Sequence, residues 1–527
     1  MAGLIALAVY LPSIRNGFAF DDERDIRDNP AIVDAAGPLD VALSPYRGDV
    51  PSGRSPYRPV TSLSNWLNWV GGGGNAAPFH MVNVLLHTLA CVLVVQLLLA
   101  VGASEVSALI GGALFAFHPV HVEAVANVVG RADVLMTLFC LVGALGFLDR
   151  RLSQVTRALV VAVSYALALG AKENGVALPG LLLLLLVLPV ERRHETEEDP
   201  KARTLGPELR VLAPTLVVLL GYLAVRWSVL GTLVHRDTAP YVALLSTGER
   251  VATAVANLTH LGRLLLVPVD LAADYGPDVV VTAGPTSPRF WLGVVSVALT
   301  GALAWVLWRR NRLGAVALGW IALSVLVVSN LVLPIGVWIA ERTLYLPSVG
   351  VALGVAALVQ SVEQHAPRRM ASVWTGTAVL ALAAGWRTLD RIPSWSDTDT
   401  VLSTLADEHP ESFRSQWWLA RRLTDVGDLD GGLRWFEVAT RTSPNDLRLA
   451  LDHARTLLLA GRPQDAEAIV APLPPTDPAR FVYLAQSKIM TGRPEEARED
   501  VREGLMRFPR DARLLAQASE LDVEPPT

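Results

Sequence analysis

Two adjacent carboxylates, Asp21 and Asp22, stand directly after an apolar stretch in the run Asn16-Gly17-Phe18-Ala19-Phe20-Asp21-Asp22-Glu23. Carboxylates are costly to hold near hydrocarbon. Packed together they raise one another's pKa, and one of them can then serve as a general base. The other reading is a solvated acidic loop, because Asp25 and Asp28 follow.

Further along, the same kinds of chemistry recur in short clusters. Arg58, in Tyr57-Arg58-Pro59-Val60-Thr61, is a fixed cation suited to a phosphate or to a lipid headgroup. His80, Asn83 and His87 share one helix face, which marks a stripe turned to the protein interior, for hydrogen bonding or for a metal. His118-Pro119-Val120-His121-Val122-Glu123 leads to Asn127, Gly130, Arg131 and Asp133. His118, His121 and Glu123 are metal-ligand types, but their spacing is no standard zinc motif and Pro119 breaks the helix. That favours a hydrogen-bonded acidic site over zinc. A divalent cation held by carboxylates stays open, and no cofactor is assigned. Lys172-Glu173-Asn174 and Glu341-Arg342, the latter just before Leu344-Tyr345-Leu346-Pro347-Ser348, each set a cation beside a carboxylate. Such pairs are either local salt bridges or clamps on a phosphate, with Lys172 and Arg342 as the charges. Asp270 and Asp274-Tyr275 add a further polar contact.

These residues need elements to hold them, and the composition says which. Of the 527 residues 52% are hydrophobic and 18% charged, against about 25% charged in a soluble domain. A net charge of −5 gives no reason to expect a nucleic-acid partner. Cys91 and Cys140 both fall in apolar runs and read as small buried hydrophobes. Residues 1–390 alternate long apolar and short polar runs, whereas 391–527 read as a soluble domain. A span needs about 20 apolar residues. The pattern predicts about eleven, near 2–15, 80–101, 105–118, 133–148, 158–171, 175–190, 210–230, 290–308, 313–333, 344–361 and 371–388. The first lacks the basic start and small-residue exit of a signal peptide and is read as a retained helix. The stretch 248–267 carries a polar stripe of Arg250, Thr253, Asn257, His260 and Arg263, which suits an interfacial helix.

Basic residues concentrate on the cytoplasmic side of a membrane. The loops 149–157, 191–210, 308–312 and 362–370 hold Arg150, Arg151, Arg157, Arg192, Arg193, Lys201, Arg203, Arg210, Arg309, Arg310, Arg312, Arg368 and Arg369. All four share a side only if 248–267 does not cross. The N-terminus is then inside. The segments 16–79, 119–132, 172–174, 231–289 and 334–343 face outside with the C-terminal domain. The chain is expected in the cell inner membrane if bacterial, in contact with membrane lipids.

The C-terminal part repeats. Ala420, Gly427, Gly432, Phe436, Ala439 and Pro444 follow the spacing of a 34-residue tetratricopeptide unit. Ala454, Gly461 and Ala466 repeat it, and so do Ala485, Gly492, Ala497 and Pro509. The units lie near 413–446, 447–477 and 478–511, with a half-unit from Trp395 to Pro410. About three repeats suffice for a short solenoid, either a concave protein-binding surface or a cap on the membrane domain.

The motifs together, Phe-x-Phe-Asp-Asp, Tyr-Arg-Pro-x-Thr, Phe-His-x-x-Asn-x-x-x-His, His-Pro-x-His-x-Glu, Gly-Arg-x-Asp, Lys-Glu-x-Gly and Glu-Arg-x-Leu-Tyr-Leu-Pro-Ser-x-Gly, come in order before the repeats. The chain thereby resembles the transmembrane and tetratricopeptide-repeat O-mannosyltransferases of the GT-C superfamily, as a prokaryotic-type relative. The resemblance implies an all-α polytopic membrane domain followed by a tetratricopeptide solenoid. It implies inverting transfer of a sugar, mannose in the family, from a polyprenyl-phosphate donor to a protein hydroxyl, with the acceptor recruited through the repeats. Asp21 and Asp22 match the acidic pair where the catalytic carboxylate of these enzymes lies, and Glu123 and His121 fall in the second outer loop, near the acceptor or the catalytic carboxylate, so that Asp21, Asp22 and Glu123 are the expected catalytic residues. Charge places Arg58, Lys172 and Arg342 on the lipid phosphate. His118, His121, Arg131, Asp133, Glu173, Glu341 and Tyr345 are the acceptor-side or supporting residues. The long Gly/Pro/Ser insert around Gly71–Gly74 and the short repeat array depart from the family pattern, so the acceptor is not carried over. The reading from another class is a non-catalytic membrane scaffold whose repeats recruit a partner outside the cytoplasm.

Overall fold

The structure is a computed structural model describing residues 1–48, 55–188, 205–233, 245–276, 279–332 and 337–524. Every regular element among the described residues is a helix. The basic residues Arg192, Arg193, Lys201 and Arg203 lie outside the described residues, as do parts of the segments 16–79, 231–289 and 334–343.

The chain divides into two compact units, Met1–Tyr275 with Val280–Val401, and Leu402–Thr527 with Gly276–Val279. In the first unit, six helices among the described residues are long and apolar enough to cross a membrane. They are Ala76–Ala100, Val128–Leu148, Gln154–Ala171, Gly206–Leu230, Pro288–Arg310 and Glu341–His365. A seventh candidate is the pair Glu105–Phe117 and Pro119–Val125, bent by 50° where Pro119 interrupts the backbone ladder. Shorter apolar helices cover Ala2–Arg15, Glu173–Leu185 and Arg312–Val328, and a further helix covers Met370–Arg391. Each stretch expected to span therefore holds a helix, while six to seven meet the length and composition of a span. This is a multi-pass membrane protein.

The stretch 248–267 is one helix, Thr247–Leu266, opened by a capping box of Ser246 and Glu249. Its polar stripe is engaged: Arg250 reaches the carbonyl of Asn330, Thr253 bonds to Ala283, and Arg263 pairs with Asp270 at 2.8 Å.

Polar residues decide which helix lies at the centre. The helix over Val128–Leu148 opens with Arg131 and Asp133, and 83% of its most apolar window is buried in protein. For Pro288–Arg310, whose arginines Arg289, Arg309 and Arg310 lie at its two ends and which carries no acidic residue, the figure is 6%. One hydrophobic core joins the N-terminal helix, the helices through Leu188, the helices around Trp320 and Leu353, and Ile392, Trp395 and Val401. Cys91 and Cys140 are free and buried in it.

The second unit is a run of paired helices, Phe413–Asp425 with Leu429–Thr442, Leu447–Leu459 with Pro463–Val470, and Pro478–Met490 with Pro494–Arg507, ending in Ala512–Glu520. The repeated small residues Ala420, Ala439, Ala454, Ala466, Ala485 and Ala497 are all buried. The shared Gly-Arg-Pro turn has a backbone reason. Gly461 and Gly492 take φ of 71° and 75°, and Pro463 and Pro494 then open the next helix, where a missing N–H costs nothing.

Candidate active site

The first loop is fastened before its acids are reached. His80 bonds through Nε2 to the carbonyl of Gly17 at 3.0 Å, so the polar stripe on Ala76–Ala100 faces inward. Phe20 has φ of 54°, in the left-handed region that non-glycine residues avoid. The turn it makes sends Asp21 and Asp22 in different directions.

Asp22 points inward and is fully buried. Its carboxylate accepts from the N–H groups of Ala19 (3.2 Å), Val128 (3.2 Å) and Val129 (2.8 Å), which clamps the first loop to the second. Burial pushes its carboxyl up to about 7 against the pull of these donors.

Asp21 is half-buried and faces two guanidinium groups, Arg24 at 3.1 Å and Arg342 at 3.6 Å. Burial alone would raise its carboxyl, but the charges of Arg342, Arg24 and Arg47 outweigh it and hold Asp21 below the ordinary carboxylate range.

Arg342 is the hub. Its guanidinium donates to Glu123 Oε1 at 2.8 Å and its backbone N–H to Glu123 Oε2 at 2.8 Å. Glu123 is therefore a buried carboxylate satisfied from two sides. Its position depends on Gly130, where a Cβ would stand 2.5 Å from the Glu123 carbonyl oxygen and 2.6 Å from Ala124 Cα. Only glycine allows the second loop to fold back this closely.

Two more ion pairs flank the hub. Lys172 Nζ lies 2.6 Å from Asp133 Oδ2, both nearly buried. Burial lowers the Lys172 ammonium, Asp133 opposes that, and the charges of Arg58 and Arg342 lower it further. Lys172 thus lies within electrostatic reach of both other cations singled out in the sequence. Arg58 pairs with Glu173 at 3.0 Å, lies over the ring of Tyr46 at 5.4 Å, and shares Glu173 with Arg226. Thr61 donates to the carbonyl of Ala171 at 2.8 Å, joining the Tyr-Arg-Pro-x-Thr and Lys-Glu motifs.

The other residues form the frame. Arg131 is fully buried and donates to Asn83 Oδ1 at 2.7 Å, to Ser64, to Asn68 and to the carbonyl of Phe79. His118 bonds to the carbonyl of Leu265, and His121 to Ser348 Oγ at 2.8 Å. Tyr345 bonds to His87 Nδ1 at 2.6 Å. Glu341 accepts from Tyr275 Oη at 2.7 Å and from the Ala272 N–H, so it turns away from its neighbour Arg342. Among the described residues no group of three or more His, Cys, Asp or Glu side chains is arranged to hold a metal. The carboxylates of Asp21, Asp22, Glu123 and Asp133 are engaged by cations or N–H groups instead.

Part of this network opens toward solvent. Side-chain exposures are 21% for Asp21, 23% for Arg342 and 21% for Arg58, against 1% for Glu123 and 1% for Asp133. Glu173 (31%), Arg47 (24%) and Arg24 (56%) are open as well, so carboxylates and guanidiniums share the accessible edge, while Glu123 and Asp133 are buried support. Such an edge can take a proton at one point and hold an anion beside it.

No family model matches the chain. Individual proteins do. Protein O-mannosyl-transferase Tmtc3 of Drosophila melanogaster is 27% identical over 88% of this chain. TMTC3 of Mus musculus is 26% identical over 88%, and TMTC4 of Homo sapiens 27% over 83%. This chain is a relative of the protein O-mannosyl-transferases. It covers 57%, 53% and 65% of the length of those three proteins, respectively.

Against that O-mannosyl-transferase background, several residues of the network went unnoticed in the sequence. Arg24, Asp25 and Arg47 form a chain of pairs beside Asp21, with Arg47 at 3.4 Å from Asp25. Asp25 read only as part of a solvated acidic loop, and Arg24 and Arg47 carried no signal of their own. Arg226 carried a readable signal, as an arginine inside the apolar helix Leu205–Leu230, a placement that marks functional residues in membrane proteins.

Proposed function

We propose that this chain transfers a sugar, mannose by family resemblance, from a polyprenyl-phosphate donor to a hydroxyl of a protein acceptor. The observation that carries the reading is the partly exposed Asp21 carboxylate held beside Arg342, with Lys172 within electrostatic reach of that arginine. In this reading Asp21 takes the proton of the attacking Ser or Thr hydroxyl. The oxygen attacks the sugar's anomeric carbon from the face opposite the phosphate, so the configuration inverts. The glycosyl–phosphate bond breaks, and the departing phosphate's charge is met by Arg342 and Arg58. Glu123 orients Arg342, Asp133 orients Lys172, and Asp22 supports the loop. No metal step is included, because the carboxylates present are bonded to cations and N–H groups.

The reaction belongs to a GT-C-type membrane domain of eleven crossings, N-terminus inside, with the acidic edge and the C-terminal helices on the outer face. The eleven helices at the expected positions and the engaged polar stripe of Thr247–Leu266 support that topology. The paired helices from Phe413 are read as a tetratricopeptide solenoid that recruits the acceptor protein.

The competing reading is a non-catalytic scaffold. It gives no reason to hold the partly exposed Asp21 carboxylate beside Arg342, whose other partner, Glu123, is buried. The full chain, purified in detergent and given mannosyl-phosphopolyprenol and a Ser/Thr-rich peptide, tests the two readings. Asp21→Asn is expected to lower transfer by at least about 100-fold with folding retained. Undiminished transfer by that variant removes the catalytic assignment.

A further inference from the structure

The chain just after the last membrane helix returns to the acidic loop. Asn16 Nδ2 donates to the carbonyl of Ile392 at 3.3 Å, the Gly17 N–H to the carbonyl of Ser396 at 2.7 Å, and the Phe20 N–H to Thr398 Oγ1 at 2.9 Å. The strap is anchored, because Ile392, Trp395 and Val401 are buried in the core of the first unit. Thr398 is itself only 8% exposed.

The third of these bonds falls at the strained residue. Phe20, at φ 54°, immediately precedes Asp21. A phenylalanine holds that conformation only where its surroundings impose it, and such outliers gather at functional sites. Two contacts bracket the strained unit. Thr398 fixes the Phe20 N–H on one side, and on the other the Asp22 carboxylate, fixed to Val128 and Val129, accepts from the Ala19 N–H. Relaxing Phe20 to negative φ would swing the following peptide and move the Asp21 carboxylate relative to Arg342.

We propose that Thr398 is a positioning residue for Asp21: its hydroxyl holds Phe20 in the left-handed conformation that presents the Asp21 carboxylate beside Arg342. It touches no reacting atom and acts through the backbone. The inference rests on the reading of Asp21 as the base. It also gives the 392–398 segment a role in the chemistry beyond that of a connector to the C-terminal helices.

The test compares wild type with Thr398→Val, Thr398→Ser and Asp21→Asn in the full chain, with mannosyl-phosphopolyprenol and a Ser/Thr-rich peptide as probes. Thr398→Val is expected to lower kcat between about tenfold and 100-fold while the donor KM changes less than about twofold. Thr398→Ser, which keeps the hydroxyl, restores kcat. Amide exchange of the 17–24 segment, which needs no turnover, is expected to speed up in Thr398→Val and to return to normal in Thr398→Ser. Glycine at position 20 relieves the strain, so Thr398→Val is expected to cost less in a Phe20→Gly background. Unchanged kcat in a folded Thr398→Val, or unchanged exchange over 17–24, overturns the proposal. If Asp21→Asn keeps its activity, it is the assignment of the base that fails.

Discussion

Asp21 and Asp22 are neighbours of one type with opposite surroundings, and that difference makes separable predictions. Asp22 satisfies three buried N–H groups. Each buried donor left without a partner costs about 1–3 kcal/mol. Asp22→Ala is therefore expected to lose at least about 3 kcal/mol and to unfold several degrees earlier in a detergent thermal-shift assay, with transfer lost alongside. Asp21→Asn is expected to leave the unfolding temperature nearly unchanged. Equal stability loss in both variants would contradict the division of roles. The pH dependence follows from the same surroundings. Burial raises Asp21, and the Arg342 charge is foremost among those that more than reverse it. Asp21 therefore stays ionised below the ordinary carboxylate range, and the acid limb of kcat/KM lies below that range too. Removing that positive charge in Arg342→Gln lets burial prevail, and the residual activity's limb moves to higher pH. An unmoved limb would mean that another group titrates in the reaction.

At the scale of elements, the sequence revealed most where chemistry and periodicity coincide. The polar face of His80, Asn83 and His87 read as inward, and all three are buried. The helix positions were legible because apolar runs and their polar gaps dictate them. The pairings were not. Arg342 and Glu123 are 219 positions apart and meet only because Gly130 lets the second loop fold back onto itself. Adjacent Glu341-Arg342 read as a local salt bridge or as a phosphate clamp through Arg342, yet Glu341 turns to Tyr275 and Arg342 to Glu123. Successive side chains point in different directions, so adjacency did not predict partnership. The Phe20 strain had no sequence signal, since phenylalanine gives no hint of positive φ. Gly130→Ala tests the element argument. A Cβ forced against backbone is expected to cost about 1–3 kcal/mol and to reduce transfer by displacing Glu123. Wild-type stability and rate in that variant would show that the loop can yield.

For the whole molecule, the account depends on sidedness. Single cysteines at exposed positions, probed with a membrane-impermeant thiol reagent, read it directly. Ala36→Cys, Asp270→Cys and Glu520→Cys are expected to label from one face and Gln154→Cys from the other. Labelling of Asp270→Cys from the Gln154 side would mean that Thr247–Leu266 crosses the membrane, and the count of eleven would fall with it. The sequence offered this topology through its arginine-rich loops. It also marked 2–15 and 175–190 as shorter than the about 20 residues of a span, and the helices there, Ala2–Arg15 and Glu173–Leu185, are short and partly buried in protein.

Those tests all bear on one claim, that the Asp21 carboxylate held beside Arg342 performs sugar transfer. The most direct measurement is single-turnover transfer from mannosyl-phosphopolyprenol to a Ser/Thr-rich peptide by purified wild type and Asp21→Asn, each shown to be folded. The account predicts measurable transfer by wild type and a rate at least about 100-fold lower in the variant. Equal rates in the two proteins, or no transfer by folded wild type, would contradict it.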